Sequence, residues 1–149
     1  MPEMIHSILV PVDGSEQSDR AVDMAVSLAD KYGGEVTVLC VYRHHSPLEA
    51  SISMVRPSEP EHPDKALAGY AQEIATAAKQ RALDAGAKEV SAYVKRGPLA
   101  RTIVAFAKQH GADTIVMGAR GTGDVEGFLL GSVSHKVSGL SPVTCILVK

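Results

Sequence analysis

The residues of this chain best suited to chemistry lie between Met117 and Val137, in the run M-G-A-R-G-T-G-D-V-E-G-F-L-L-G-S-V-S-H-K-V. Five glycines, Gly118, Gly121, Gly123, Gly127 and Gly131, permit left-handed backbone and close approach of the main chain to a ligand. The last of them precedes a short amphipathic stretch starting near Ser132, so the free N–H groups of a helix start would face an anion. Nine residues separate Gly121 from Gly131, which divides the glycines into one cluster where a strand ends and another where a helix begins. Donors presented from two sides in this way would bracket a polyphosphate.

A plain turn is the competing explanation, because Gly-rich links between a strand and a helix are common and most bind nothing. Neither familiar nucleotide fingerprint is present: no Lys-Ser or Lys-Thr follows the glycines, and no Gly-x-Gly-x-x-Gly occurs. Spacing alone leaves both explanations open. A helix dipole contributes about 0.3–1 kcal/mol to a charged group, whereas a micromolar complex needs about 8 kcal/mol, so several contacts must add. Loop N–H groups, the hydroxyls of Ser132 and Ser134, and an apolar slot beside Val12, Val41 and Met117 would together supply them. Two acids, Asp124 and Glu126, lie inside the loop and would repel phosphate unless they turned outward or a divalent cation intervened.

Other polar residues offer less. Residues 43–63 break every periodicity, carry four prolines and read as a long mobile loop, so His44, His45 and His62 are solvated rather than metal ligands. His135 lies one turn past Ser132 and reads as a surface or packing histidine. Asp13 is the acid expected near the phosphates. Without a P-loop lysine or an evident general base, turnover of a nucleotide is expected to be slow or absent.

The elements that must position these groups follow from hydrophobic period. The apolar run over residues 5–12 reads as a buried strand that ends in Asp13-Gly14-Ser15, a tight turn with a helix N-cap. Ala21, Val22, Ala25, Leu28, Ala29 and Tyr32 mark one helical face, ended by Gly33-Gly34. Residues 35–42 are almost wholly apolar and β-branched, as in a strand covered on both faces. Leu67, Tyr70, Ala71, Ile74, Ala77, Ala78 and Ala82 define a second helix, and Val90, Ala92 and Val94 alternate with polar positions as in a half-exposed edge strand. Leu99, Ile103, Phe106 and Ala107 give a third helix after Gly97-Pro98; a strand at 114–117, a helix carrying Val133 and Val137, and a last apolar strand complete the chain.

Five strands alternating with four helices predict an α/β fold: an open, doubly wound five-stranded parallel sheet with helices on both faces. With the half-exposed third strand at an edge, right-handed crossovers favour the order 3-2-1-4-5. The first and fourth strands are then neighbours at a topological switch point, and the glycine loop issues from the crevice above them.

Bulk properties set limits. With 149 residues one domain over 1–149 is expected, 45% hydrophobic residues is ordinary, and a net charge of −2 offers nucleic acid or an anionic membrane no attraction. No apolar run reaches the ~20 residues of a membrane span and the first residues lack a signal peptide's character, so a cytoplasmic protein is expected. Cys40 and Cys145 sit in apolar runs and read as buried, reduced thiols.

Three stretches together, V-P-V-D-G-S at 10–15, G-A-R-G at 118–121 and G-S-V-S at 131–134, resemble the universal stress protein family. The resemblance spans nearly the whole chain and implies an ATP site. It assigns the adenine and ribose to Pro11, Val12, Asp13, the backbone of Val41, and Met117. The polyphosphate falls to Gly118, Arg120, Gly121, Gly131, Ser132, Val133 and Ser134, with Asp13 reaching the ribose hydroxyls or a metal ion such as magnesium. Asp124 and Glu126 depart from the family, which often has basic or neutral residues there. A nucleotide-dependent regulator of the stress response is implied; an ATP-using transferase or hydrolase and a cyclic AMP-binding relative are the alternatives. The family also implies a homodimer, which agrees with the apolar character of the last strand, from Pro142 to Val148, at a sheet edge.

Overall fold

The protein is described here by a computed structural model, covering residues 5–43, 63–120 and 131–149. The expectations for His44, His45, His62, Gly121, Gly123, Asp124, Glu126 and Gly127, and for the loop over 43–63 beyond Arg43, lie outside the described residues. The elements are β1 (Ser7–Pro11), α1 (Glu16–Tyr32), β2 (Glu35–Tyr42), α2 (Pro63–Asp84), β3 (Val90–Arg96), α3 (Leu99–His110), β4 (Thr114–Gly118), α4 (Ser132–Leu140) and β5 (Thr144–Val148). All strand pairs are parallel, in the order β3-β2-β1-β4-β5, as the crossover argument requires.

Strand β1 is the axis of the sheet. All five of its residues are buried, and Ile8 pairs with Val36 on one side and Thr114 on the other. Although the run is continuously apolar, its side chains still alternate between two cores, as the strand period of two demands. Ile8 and Val10 join the core beneath α1 and α2, while Leu9 joins the core beneath α3 and α4. Complete burial of each such side chain contributes about 1.5–3 kcal/mol relative to exposure.

Helix α1 begins at Ser15, whose side chain accepts from the Ser18 N–H, and stops at Gly33 with φ of 75°. Its buried line is Ala21, Val22, Ala25, Val26 and Ala29; Tyr32, expected on that line, is 43% exposed because the helix ends there at the sheet's rim. Helix α2 is seated through Ala71, Ala75, Ala78 and Ala82, small residues that let its axis approach the sheet closely. Tyr70 and Ala77, one position off that line, are exposed rather than part of the core, a correction to the predicted face. Arg81 of α2 forks onto Asp23 of α1 with two bonds of 2.9 Å, an exposed pair that aligns the helices more than it stabilises them.

The two sheet edges differ as predicted for β3, where Val90, Ala92 and Val94 are half-buried and Ser91, Tyr93 and Lys95 exposed. In β5 the residues from Cys145 to Val148 are all half-buried. Cys145 is therefore less enclosed than its apolar context predicts, since an edge strand has neighbours on one side only. Both cysteines are free, and they belong to cores on opposite faces of the sheet. Among the described residues no helix is long and apolar enough to cross a membrane.

Candidate functional site

The chain leaves β1 and β4 toward opposite faces: α1 packs with the core on one side, α4 with the core on the other. A crevice opens above the two adjacent strand ends, where ligands bind in open α/β sheets. Each wall of it is built by a short set of hydrogen bonds.

On the β1 side, the Val12 N–H donates to the Leu39 carbonyl at 2.9 Å and carries β1's register into the turn. The Asp13 carboxylate accepts from the Ser15 N–H at 3.0 Å, and the Asp13 N–H donates to the Ser18 hydroxyl at 3.2 Å. The first turn of α1 is thus closed on itself, and Asp13 is held half-buried at the rim.

On the β4 side, Met117 is buried and Gly118 follows it. Gly118 and Gly131 were expected to use left-handed backbone, and they do not. Gly118 is absent from the positive-φ residues, and Gly131 has φ of −75° and ψ of 164°, an extended geometry open to any residue. What Gly118 needs is space: a Cβ there would lie 2.9 Å from the Gln17 Cβ and 3.0 Å from the Arg120 carbonyl oxygen.

The two ends of the glycine loop meet at Ala119. Its carbonyl accepts from the Gly131 N–H and, at 2.6 Å, from the Ser134 hydroxyl, while its N–H donates to the Val148 carbonyl at 2.7 Å. Ser134 was expected to turn its hydroxyl toward a phosphate; it is 2% exposed, and the hydroxyl lies within donating distance of two carbonyls, Ala119 at 2.6 Å and Gly131 at 3.1 Å. Its remaining donor is the backbone N–H. At the start of α4 the first helical bond runs from the His135 N–H to the Gly131 carbonyl, so the N–H groups of Ser132, Val133 and Ser134 have no intrahelical acceptor. The N-cap residue, Gly131, has no side chain with which to cap them.

These walls enclose a cavity of about 490 Å³. Pro11, Val12, Asp13, Val41, Met117, Gly118, Arg120, Ser132, Val133 and Ser134 all border it; Gly131 is not among the bordering residues, and Gly121 is outside the described residues. Sequence reasoning missed Tyr42 and Arg43 at the end of β2, Leu67, Tyr70 and Ile74 on α2, and Leu99 and Ile103 on α3. None sits in a motif. The available signal was positional, since the end of a central strand and the helix ends beside it border the crevice in any doubly wound sheet.

Cys40 lies in the cavity floor, 4% exposed, and its thiol is pushed up to about 11 by burial first and by the negative charge of Asp13 second. A thiol so protonated is not a nucleophile at neutral pH. Among the described residues no group of three or more His, Cys, Asp or Glu is placed to hold a metal ion.

A family model for the universal stress protein family matches residues 4–149. Universal stress protein YxiE of Bacillus subtilis is 33% identical over 150 residues, covering 98% of this chain and 100% of the relative. Among solved structures, universal stress protein UspA from Lactobacillus plantarum shares the fold with a TM-score of 0.77 and 28% identity, covering 97% of both chains. A universal stress protein in complex with cAMP does so with a TM-score of 0.69 and 26% identity, covering 97% of this chain and 96% of its own.

Proposed function

The chain belongs to the universal stress protein family, and on that premise we propose that it binds an adenine nucleotide, with ATP as the ligand, in the crevice above β1 and β4. Occupancy, rather than turnover, then carries a regulatory signal in the stress response. The observation that carries this reading is the meeting, around one cavity, of an apolar slot, a half-buried carboxylate and a helix start whose N-cap residue is glycine. A volume of about 490 Å³ lies within the range of about 300–1,000 Å³ usual for small-molecule sites.

Val12, Val41 and Met117 supply an apolar slot for the base, and Asp13 an acceptor for ribose hydroxyls. The N–H groups at the start of α4, with Arg120 bordering the same cavity, suit phosphate oxygens. Magnesium fits this donor set as an ion shared between Asp13 and phosphate, since it is usually held by one or two carboxylates plus phosphate oxygens; bound there, it would screen phosphate charge. The solved relative in complex with cAMP supports adenine as the base and makes a cyclic monophosphate the second reading. The unpaired thiols support a reducing compartment, the cytoplasm.

Calorimetric titration with ATP, ADP, AMP and cyclic AMP tests the ligand. ATP should bind most tightly, and Gly118→Val, which drives a side chain into Gln17 and the Arg120 carbonyl, should weaken it about a hundredfold, roughly two charge-assisted hydrogen bonds. Unchanged ATP affinity in a folded Gly118→Val protein would refute the assignment.

Assembly is part of the same reading. Among the described residues strand β5 pairs only with β4, and its half-buried Ile146, Leu147 and Val148 suit a second copy of the chain across a two-fold axis. Light scattering should give a dimer, with Ile146→Asp shifting it toward monomer; a monomeric parent at high micromolar concentration would end the proposal.

A further inference from the structure

Gln17 belongs to none of the sequence signatures, yet it touches the glycine loop at two points. Its side-chain carbonyl accepts the Arg120 N–H at 2.6 Å, across 103 residues of chain. Its Cβ and backbone carbon lie 2.9 and 3.1 Å from where a Cβ on Gly118 would stand.

The Arg120 N–H and the Ala119 carbonyl are the two poles of one peptide unit. The carbonyl pole is held from the α4 side by the Gly131 N–H and the Ser134 hydroxyl, and the N–H pole from the α1 side by Gln17. A planar trans peptide gripped at both poles cannot rotate about its flanking bonds, so the direction in which the chain enters the loop is set. The grip is itself anchored, because Gln17 stands in the turn of α1 that Asp13, Ser15 and Ser18 close by hydrogen bonds. The turn that carries Asp13 is thereby tied through the Gln17 side chain to Ala119 and Arg120, which border the same cavity.

We propose that Gln17 is a positioning residue for the phosphate side of the site: it orients the Ala119–Arg120 peptide and so favours ligands with two or more phosphates over the nucleoside. This rests on the nucleotide reading above. It assigns Gln17 no contact with the ligand, and Gln17 is not among the residues that border the cavity.

Gln17→Met keeps the length and packing of the side chain and removes only the acceptor. By calorimetry, affinity for ATP and ADP should fall about tenfold, as for one lost hydrogen bond in a charged site, while adenosine stays within about twofold. In the absence of ligand, the Arg120 amide should exchange with solvent faster in the variant, followed residue by residue by NMR. Gln17→Ala serves as a second variant if the methionine does not fold. Equal losses for ATP and adenosine would mean a merely structural role and overturn the proposal, as would unchanged ATP affinity beside a parent that binds. A parent that binds none of these ligands would overturn the nucleotide reading, and this proposal with it.

Discussion

Two helices start at the rim of the same crevice, and their N-cap residues differ: Ser15 offers a side chain to the first turn, and Gly131 has none. Helix α1 turns side chains back onto two of its own N–H groups: the Ser15 hydroxyl accepts from the Ser18 N–H, and the Asp13 carboxylate accepts from the Ser15 N–H. Helix α4 starts at a glycine with no side chain to offer, and the hydroxyl of Ser134 turns back to the Ala119 carbonyl. The first arrangement adds stability whether or not a ligand is present. The second leaves N–H groups without intrahelical acceptors at the border of a cavity, where an anion would complete them. The contrast separates a turn built to hold the fold from one suited to hold a ligand, although both read as strand-turn-helix in sequence.

Exchanging the two arrangements should exchange their effects. Gly131→Asp would give α4 its own carboxylate cap at an extended backbone geometry that accepts it. ATP affinity is expected to fall tenfold or more, because that carboxylate takes the donors and repels phosphate, while thermal stability without ligand holds or rises. Ser15→Ala makes the opposite change: about 1 kcal/mol of stability lost, or about 3 °C in melting temperature, with ATP affinity within about twofold. If Ser15→Ala weakened ATP as strongly as Gly131→Asp, the distinction between the two helix starts would collapse.

The smallest effect is absent at neutral pH. Cys40, beneath Asp13, has its thiol raised from an ordinary 9.0 to about 11, by burial and then by the Asp13 charge. Below pH 9 the thiol is neutral in both folded and unfolded chains and stability does not respond. Between about pH 9 and 11 the unfolded chain gives up the proton and the folded one keeps it, so stability falls by up to about 1.4 kcal/mol per pH unit. Urea unfolding across that window should show a shallower decline in Cys40→Ala than in the parent, and Asp13→Asn should bring the thiol partway back. Parallel declines would show that the thiol is not held by this environment.

Much of the fold was legible in sequence, because the information was local. The apolar runs of β1 and β2, the alternation in β3, the stops at Gly33 and Gly111 and the cap at Ser15 each depend on residues within about one turn or one strand of each other. From those elements, the handedness of crossovers was sufficient to place β1 beside β4. The site was legible to the extent that motifs sit at strand ends: ten of the predicted residues border the cavity. Reasoning from residue type went astray where a side chain had a second use. Gly118 reads as a residue chosen for left-handed backbone but is required by the approach of Gln17; Ser134 reads as a phosphate ligand but clasps the loop's neck.

The sequence by itself therefore determined the order and type of the elements, the parallel sheet, the switch point and the family, since each follows from short-range periodicity or from contiguous signatures. Only the tertiary structure decided that Tyr70 and Tyr32 stay out of the core, that α2 and α3 border the cavity, and that Gln17 grips the peptide before Arg120. Those outcomes depend on contacts between residues far apart along the chain. A periodic pattern records which face of an element is buried but not what is packed against it. An amide oxygen 103 residues from the N–H it accepts leaves no trace in local spacing.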